Sequence, residues 1–298
     1  MVKPQVPKSL LLHENGEFSA GSSTFYTSVV ESNHINEEPS TSDLKQRLEL
    51  QNNMCAGCGM KINKIYARRM QLCNYYNKLF CQRCHQGVKM RIPARILHQW
   101  NFREYPVSDI ARRFLLDNYS QPVINALAVE PNFYEKFKNL RHIRVLRLQL
   151  VHLWSFIRLC NIAKNTVTVQ GNLQAMYSSV PKHLLDGPDL FSMVDFEDIR
   201  NGSFARLIEP LIRYGKCHVN SCEVCQAKAF VCELCDERDD LLFPFQFNKV
   251  DRCAECGSLS HVKCAARRRK QSLPCPKCVR IALNRSKIME FGVSYSSL

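Results

Sequence analysis

Sixteen cysteines stand out in this chain of 298 residues, because most of them occur as pairs separated by two residues. Such a Cys-x-x-Cys pair can present two thiolates to one metal ion, and two pairs complete the tetrahedral ligand sphere of a structural zinc ion. Secreted proteins use many cysteines for disulfides instead, but the N-terminal segment lacks the long apolar region and the cleavage site of an export signal. We therefore expect a reduced, intracellular protein that binds zinc.

The first block of cysteines predicts one zinc site. Two pairs that are separated by 22 residues supply its four sulfur ligands: Cys55, Cys58, Cys81 and Cys84. Cys73 and His85 lie in the same block and are candidate ligands of a second ion, which His152 or Cys160 could complete. Alternatively, the two residues are a buried thiol and a surface imidazole.

A second block, closer to the C-terminus, predicts two neighbouring sites. Its eight ligands follow one another as four cysteines, one histidine and three cysteines, an order typical of cross-braced zinc modules. The first and third pairs would hold one ion, with the ligands Cys232, Cys235, His261 and Cys264. The second and fourth pairs would hold the other ion, with the ligands Cys253, Cys256, Cys275 and Cys278.

Three further ligand-type residues, His218, Cys222 and Cys225, lie just upstream of the second block, and Cys217 is a candidate fourth. They either form a site of their own or exchange partners with the pairs that follow. We expect at least three zinc ions in the protein, and four or more when these residues are counted.

The expected ions are structural, because each assignable site fills four positions with protein ligands and leaves none for the water that a catalytic zinc activates. The sequence contains no Ser-His-Asp string, no phosphate-binding glycine loop and no His-Glu-x-x-His helix. We therefore predict that the protein is not an enzyme.

These ligands must be positioned by the rest of the chain, for which we predict a mainly α-helical body flanked by small zinc-stabilised modules. The N-terminal module is a zinc knuckle similar to half of a FYVE domain, and the C-terminal module is cross-braced, of the RING or PHD type. The predicted segments are a disordered or linker tail (1–52, with a short helix after Ser42), the N-terminal zinc module (53–91), the helical body (92–216), the C-terminal module (217–282) and a tail (283–298). Residues 53–282 together form one domain.

Apolar residues recur at alternating steps of three and four in the long segment 131–164, which predicts a helix with one buried side. The residues on this side are Ile143, Leu146, Leu150, Leu153, Ile157 and Cys160. The pattern assigns Cys160 to the apolar core rather than to a metal site. Arg141, Arg144 and Arg147 lie away from that side, and we expect them to form either a solvated surface or one that attracts an acidic partner.

Residues that are typical of helix ends predict further helices. Pro93 and Ser108 are placed to begin two helices, and Ser203 precedes a third apolar pattern. We expect Pro210 to kink or shorten that third helix and Gly215 to end it.

The formal net charge of +14 favours an acidic partner, and it falls only to about +9 when the thiolates of three zinc sites are counted. Residues 1–52 are acidic, with 4 Lys and Arg against 7 Asp and Glu, so the positive charge belongs to the folded part. Two basic runs, Arg68-Arg69 and Arg267–Lys270, could bind anionic phosphoinositide headgroups, or could simply be solvated loops. Nucleic-acid binding is not favoured, because no groove-reading helix or stacking platform accompanies the charge.

Several separated motifs resemble the Rubicon homology domain over about residues 55–280. In chain order they are Cys55-Ala-Gly-Cys58-Gly, Leu72-Cys73-Asn-Tyr-Tyr, Phe80-Cys81-Gln-Arg-Cys84-His85, Ile92-Pro-Ala-Arg-Ile-Leu, Trp100-Asn-Phe, Tyr105-Pro-Val-Ser108 and the distal ligands from His218 onward. The resemblance implies a zinc-dependent module that binds the GTP form of a late-endosomal small GTPase of the Rab seven type. It further implies a cytoplasmic protein, peripheral on late endosomes and lysosomes, that regulates endosome, lysosome and autophagosome maturation.

Two alternatives come from the C-terminal module. Its first and last pairs, Cys-Glu-Leu-Cys and Cys-Pro-Lys-Cys, resemble those of RING-type ubiquitin ligases, in which Leu234 and Pro276 would help to contact the conjugating enzyme. The histidine, however, is fifth among the eight ligands rather than fourth, and an autoubiquitination assay separates the two readings. A chromatin reader of the plant-homeodomain type fits the ligand order better, but Trp100 and Trp154 both lie outside the module, where they cannot build its aromatic cage.

Overall fold

A computed structural model of the protein describes residues 41–235, 237 and 239–293, of which about half are helical. Most of the predicted N-terminal tail, residues 1–40, lies outside the described residues. The short helix expected after Ser42 is present and buries Leu48 completely. Among the described helices, none is both long and apolar enough to cross a bilayer.

Helices and short strands are mixed along the described chain. In order, they are α1 (Thr41–Leu50), a 3₁₀ helix (Lys64–Arg69), β1 (Gln71–Cys73), β2 (Lys78–Phe80), β3 (Lys89–Arg91), α2 (Pro93–Gln99), β4 (Glu104–Pro106), α3 (Asp109–Asp117), β5 (Ile124–Asn125), α4 (Ala126–Val129), α5 (Phe133–Lys136), α6 (Lys138–Ile157), β6 (Val167–Thr168), β7 (Gly171–Asn172), α7 (Leu173–Ser178), α8 (Lys182–Asp186), β8 (Leu190–Phe191), α9 (Met193–Asn201), α10 (Ser203–Ser221), α11 (Glu223–Gln226), β9 (Val250–Arg252), β10 (Leu259–His261), α12 (Val262–Lys270) and α13 (Pro276–Val293).

The chain divides into two compact units. The first contains the residues up to Arg144 together with Asp189–Phe204, and the second contains Val145–Pro188 together with the residues from Ala205 onward. The long helix α6 therefore contributes to both units. The last helix, α13, continues past residue 282, where the sequence analysis places the start of a tail.

The first unit is built on three antiparallel strand pairs, β1–β2, β3–β4 and β5–β8. Local sequence signals set its helices as expected. Pro93 occupies the first turn of α2, and the Ser108 hydroxyl accepts a hydrogen bond from the backbone N–H of Ala111 to begin α3. Leu79, Phe80 and Val107 are fully buried in the apolar cluster beneath these elements.

The second unit surrounds the latter part of α6 with α7, α8, α10 and two small hairpins, β6–β7 and β9–β10. The Tyr177 ring stacks on Trp154, with 5.7 Å between their centroids. Its buried hydroxyl donates a hydrogen bond to the carbonyl of Leu211 at 2.8 Å. These two contacts hold α7 against α6 and α10.

The apolar side predicted for α6 is confirmed, because all six residues of the pattern are buried. The interpretation of its three arginines as one solvated or partner-facing surface is wrong. Arg147 is completely buried, and its guanidinium donates to the carbonyls of His183 and Gly187 at the end of α8. Helix C-terminal carbonyls carry partial negative charge, which explains why a cation is tolerated there. Arg141 is more exposed and lies near Glu135.

The helix expected to be kinked or shortened at Pro210 is not shortened there, because α10 continues through Pro210 and Gly215 to Ser221. The burial of Ile208, Leu211 and Ile212 offsets the hydrogen bond that proline cannot donate. Gly215 is not a helix stop. It is a point of close approach, since a Cβ there would overlap the Tyr177 hydroxyl and lie 3.2 Å from the Cδ1 of Ile157.

We predict that Gly215→Ala destabilises the protein by about 2 kcal/mol, although alanine is the better helix former by about 1 kcal/mol. The added methyl group must displace the Tyr177 hydroxyl from its buried hydrogen bond to Leu211. Chemical denaturation of the zinc-loaded chain measures the change. Gly187→Ala is the matched control, because a Cβ at that position meets no atom within 4 Å. Equal stability of the two variants would contradict the prediction.

Candidate metal centres

Four groups of four cysteine and histidine side chains converge in the described residues, with all ligand atoms of a group within 4.8 Å of one another. Centre 1 comprises Cys55, Cys58, Cys81 and Cys84; centre 2 comprises Cys160, His218, Cys222 and Cys225; centre 3 comprises Cys232, Cys235, His261 and Cys264; centre 4 comprises Cys253, Cys256, Cys275 and Cys278. Centre 1 belongs to the first unit, and the other three belong to the second.

The spacing of the ligand atoms fits tetrahedral zinc. Bonds of about 2.3 Å to sulfur and 2.0 Å to nitrogen require roughly 3.8 Å between two sulfur atoms and roughly 3.5 Å between sulfur and nitrogen. The observed Sγ–Sγ distances are 3.8 Å in centre 1, 3.7 Å in centre 2, and 3.6 and 3.7 Å in centre 4. The Sγ–N distances to His218 and His261 are 3.4–3.8 Å. All sixteen cysteines are free thiols, as metal ligation requires.

Centre 1 joins the turn after α1 to the turn after β2. Gly57 is needed in the first turn, because a Cβ there would lie 3.0 Å from both the Cβ and the Sγ of Cys84. The Cys55 sulfur accepts hydrogen bonds from the backbone N–H groups of Gly57 and Cys81. Burial raises the pKa of Cys55, but hydrogen bonds from the backbone outweigh that effect and lower the pKa overall. Donors aimed at a sulfur atom stabilise the thiolate that a metal ion needs.

Centre 2 corrects the assignment of Cys160 to the core alone. This residue lies just past the end of α6 and is completely buried, as its place in the apolar pattern predicts. Its sulfur nevertheless lies 3.7 Å from the Cys222 sulfur and 3.4 Å from Nε2 of His218. A buried ligand and a core residue satisfy the same periodicity, so the pattern alone could not separate them. The signal that could have done so was the incomplete set of His218, Cys222 and Cys225, which lacked a fourth member.

The pKa values of the ligands in centre 2 shift in different directions, and burial raises that of Cys225. Burial raises the pKa of Cys160, but hydrogen bonds from the backbone of Ala163 and from the Cys225 and Cys222 side chains lower it overall. Burial lowers the pKa of His218, which keeps its imidazole neutral and able to donate a lone pair. Cys217, the candidate fourth ligand, is exposed and belongs to no such group among the described residues.

Centres 3 and 4 interleave along the chain in the pairing that the sequence order predicts. Cys232 and Cys235 lie in a loop, whereas His261 ends β10 and Cys264 lies in α12, which follows β10 directly, so centre 3 joins two separate segments. Centre 4 joins the turn after β9 to the first turn of α13. There, hydrogen bonds from the hydroxyl and the backbone of Ser258 lower the pKa of Cys256 to about 6.

Asp240 is a partner of centre 3 that the sequence analysis missed. Nδ1 of His261 faces the Cys235 sulfur at 3.4 Å, and Nε2 of the same ring lies 3.1 Å from the Asp240 carboxylate. A carboxylate on the outer nitrogen fixes the tautomer of a ligating histidine and makes it more basic. Lys249 pairs with Asp240 and holds it in place. Glu237, Asp240 and His261 form a fifth group of possible metal ligands, but centre 3 already uses this histidine.

Cys73, His85 and His152 are not brought into a metal group within the described chain. The Cys73 sulfur is buried and accepts a hydrogen bond from the backbone N–H of Ser108 at 3.2 Å. His85 is buried rather than at the surface, and its Nδ1 accepts from the backbone N–H of Gly87. The His152 ring lies 6.1 Å from that of Phe247. The structure thus favours a structural role for all three.

We predict that the purified protein contains four zinc ions per chain and that Cys160→Ser lowers this number to three. The substitution leaves centre 2 with three ligands, which hold a structural ion poorly. Elemental analysis of protein at known concentration measures the count. Cys217→Ser is the matched control and should retain four ions, because its thiol belongs to no centre. Four ions in the Cys160→Ser protein would exclude Cys160 as a ligand.

We predict that Asp240→Asn weakens zinc binding at centre 3 by about 10- to 100-fold without changing the number of ions at saturation. The amide keeps the size of the side chain but removes the charge that faces the His261 imidazole. Competition with a chromophoric chelator measures the affinity. Asp239→Asn, one residue away, should behave as wild type; identical release curves for both variants would argue against a positioning role for Asp240.

Comparison with known proteins shows which family the sequence matches. The sequence matches the Rubicon Homology Domain over residues 71–283. It is 35% identical over 235 residues to the mouse Run domain Beclin-1-interacting and cysteine-rich domain-containing protein, covering 79% of this chain and 23% of the relative. It is 37% identical over 238 residues to the mouse protein associated with UVRAG as autophagy enhancer (80% and 35%), and 31% identical over 247 residues to human pleckstrin homology domain-containing family M member 3 (83% and 31%).

The chain thus spans between about a quarter and about a third of the length of these relatives. The matched region contains three of the four centres completely and the second half of centre 1. Because the match extends over most of the chain, the resemblance read from the motifs is confirmed. The chain belongs to the Rubicon homology domain family.

Proposed function

We propose that the protein is a non-enzymatic, zinc-stabilised adaptor that binds a late-endosomal small GTPase, of the Rab seven type and in its GTP form. In this proposal it is peripheral on late endosomes and lysosomes and regulates the maturation of endosomes, lysosomes and autophagosomes. The observation that carries the proposal is membership of the Rubicon homology domain family. The names of two relatives support it, since one interacts with Beclin-1 and another is associated with UVRAG and enhances autophagy.

The chemistry of the metal centres supports a binding role. Each centre offers four cysteine or histidine ligands, so a bound zinc ion has no open position at which to activate water. The ions would instead cross-link short segments of chain and make the surface between them rigid. A rigid surface loses little conformational entropy when it binds a partner.

The surface that best fits a protein partner is an open depression of about 610 Å³ in the first unit, which we call the aromatic depression. Its lining is Gln99, Trp100, Asn101, Phe102, Arg103 and Arg200. Tryptophan and arginine are the residues most enriched where interfaces gain their binding energy. Two arginines at the edge of an aromatic surface suit an acidic partner, and this fits the overall positive charge of the chain.

The aromatic depression is rigid because of how α2 ends. Trp100 has the left-handed backbone conformation (φ 53°) at the C-terminus of α2, and its N–H donates to the carbonyl of Ile96 at 2.8 Å. The Trp100 ring meets Phe102 edge-on, with 5.0 Å between centroids, and also contacts Phe133 and Phe137. The aromatic side chains therefore hold their positions before a partner arrives.

The arginines of the aromatic depression are free to meet a partner. The Arg200 guanidinium lies 4.9 Å from the centre of the Phe102 ring, which orients it without neutralising its charge. Arg103 is exposed, and its backbone N–H donates a hydrogen bond to the side chain of Asn101.

We predict that the full chain captures a late-endosomal small GTPase locked with GTP, and that Arg103→Glu/Arg200→Glu weakens this binding about tenfold. A pulldown against a panel of small GTPases locked with GTP or GDP identifies the partner, and titration measures the affinity. Arg112→Glu/Arg113→Glu is the matched control, because both arginines are exposed on α3 and the change in net charge is the same. Zinc content and melting temperature should be unchanged in both variants.

The two parts of this prediction fail separately. If no GTPase in the panel is captured in its GTP form, the proposed function is wrong. If one is captured and both double variants bind it equally well, the function stands and the aromatic depression is not the docking surface.

A further inference from the structure

The sequence around centre 1 has an unusual charge. Between Glu49 and Glu104 it contains ten Lys and Arg residues and no Asp or Glu. Two of the ten are engaged elsewhere, since Arg91 pairs with Glu197 and Arg95 lies 3.8 Å above the Tyr105 ring. A zinc ion with four thiolates carries a net charge of about −2, so this stretch stays strongly positive with centre 1 filled.

The 3₁₀ helix Lys64–Arg69 lies in this stretch and carries exposed side chains in its first turn, which we call the tip. Asn63 begins the helix, and its side chain accepts a hydrogen bond from the N–H of Ile65 at 3.1 Å. Ala67 and Met70, three residues apart as the 3₁₀ period requires, are buried in the apolar cluster below. Ile65 is 80% exposed and Tyr66 is 50% exposed. The helix is therefore anchored on one side and presents isoleucine to the solvent on the other.

Cationic side chains surround a shallow depression beside this tip. Lys61, Arg69 and Arg83 line it together with Tyr66 and Met60, and its volume is about 450 Å³. The Arg69 guanidinium lies 5.1 Å from the centre of the Tyr66 ring, which joins the tip to the depression. Within the described part of the chain, none of these three cations forms an ion pair.

We propose that this tip docks on an anionic lipid bilayer, with Ile65 inserted among the acyl chains and Lys61, Arg69 and Arg83 bound to headgroup phosphates. Exposed apolar side chains flanked by cations are the combination that holds peripheral proteins in the interfacial region. A bilayer fits better than a protein partner, because Ile65 is 80% exposed among cationic side chains and a bilayer accepts it without a matching pocket. The docking requires only centre 1 and does not depend on GTPase binding.

Vesicle flotation with the zinc-loaded full chain tests the proposal. Vesicles of phosphatidylcholine alone are compared with vesicles that contain about 30 mol% phosphatidylserine, where the partition coefficient should be at least about tenfold higher and should fall as salt is added. Ile65→Ser should lower binding to the anionic vesicles about tenfold. Val169→Ser is its matched control, because Val169 is 95% exposed in the second unit and should not matter. An Ile65→Trp variant should show a blue-shifted emission that brominated lipids quench.

The charges are tested by Lys61→Glu/Arg69→Glu/Arg83→Glu, which should lower partitioning at least about tenfold and leave capture of the GTPase unchanged. Arg112→Glu/Arg113→Glu/Arg141→Glu changes the net charge equally in exposed positions outside the tip and should retain most of the vesicle binding. The proposal is overturned if anionic vesicles bind no better than neutral ones. It is equally overturned if the two triple variants, or the two serine variants, lose binding to the same extent with zinc content intact; the tip would then be a protein contact or solvated surface.

Discussion

Four ligand atoms that bind one zinc ion must all lie within about 2.3 Å of a single point, and this constraint sets the local structure at both ends of the chain. The strand pairs beside the ligands are short, since β1, β2, β9 and β10 have three residues each. Two-stranded pairs of this length are not stable in water by themselves. Around centre 3, the small apolar cluster that accompanies the ligands has only Cys232, Leu242 and Leu259 fully buried, and one of these is itself a ligand. An ion bound at centre 3 would therefore supply stability that the apolar core does not.

Centre 2 places the same constraint on ligands that are farther apart in the sequence. The sequence separation between Cys160 and His218 is 58 residues, whereas Cys222 and Cys225 follow His218 closely. A metal bond that closes such a long loop removes more entropy from the unfolded chain than one within a knuckle. It fixes the end of α6 against the end of α10, where Gly215 already allows the helices to approach closely. With an ion in centre 2, metal ligation and helix packing would depend on each other in the second unit, and the loss of either is expected to loosen both.

The sequence predicted the parts of this arrangement whose signals are local. The Cys-x-x-Cys spacing identifies centre 1, and the order of eight ligands gives the pairing of centres 3 and 4, because neither depends on distant contacts. Cys160 could not be assigned in this way, since both a core residue and a buried ligand must lie on the apolar side of α6. Arg147 was misplaced for a related reason: helical spacing shows which residues share a side, but the carbonyls that receive the guanidinium come from α8. The role of Gly215 likewise depends on a residue that is distant in the sequence, because the Tyr177 hydroxyl lies against it.

Both proposed binding surfaces lie in the first unit, which contains one of the four centres found in the described residues. Each surface pairs exposed arginines with an aromatic residue: Arg103 and Arg200 with Phe102, and Arg69 with Tyr66. Weak contacts of this kind gain strength when they act together, because once one surface is bound the other binds at a high effective concentration. A GTPase that is itself held on a membrane would present both ligands at the same place. A bilayer contact and a GTPase contact would then act together and favour membranes that display both anionic lipid and the active GTPase.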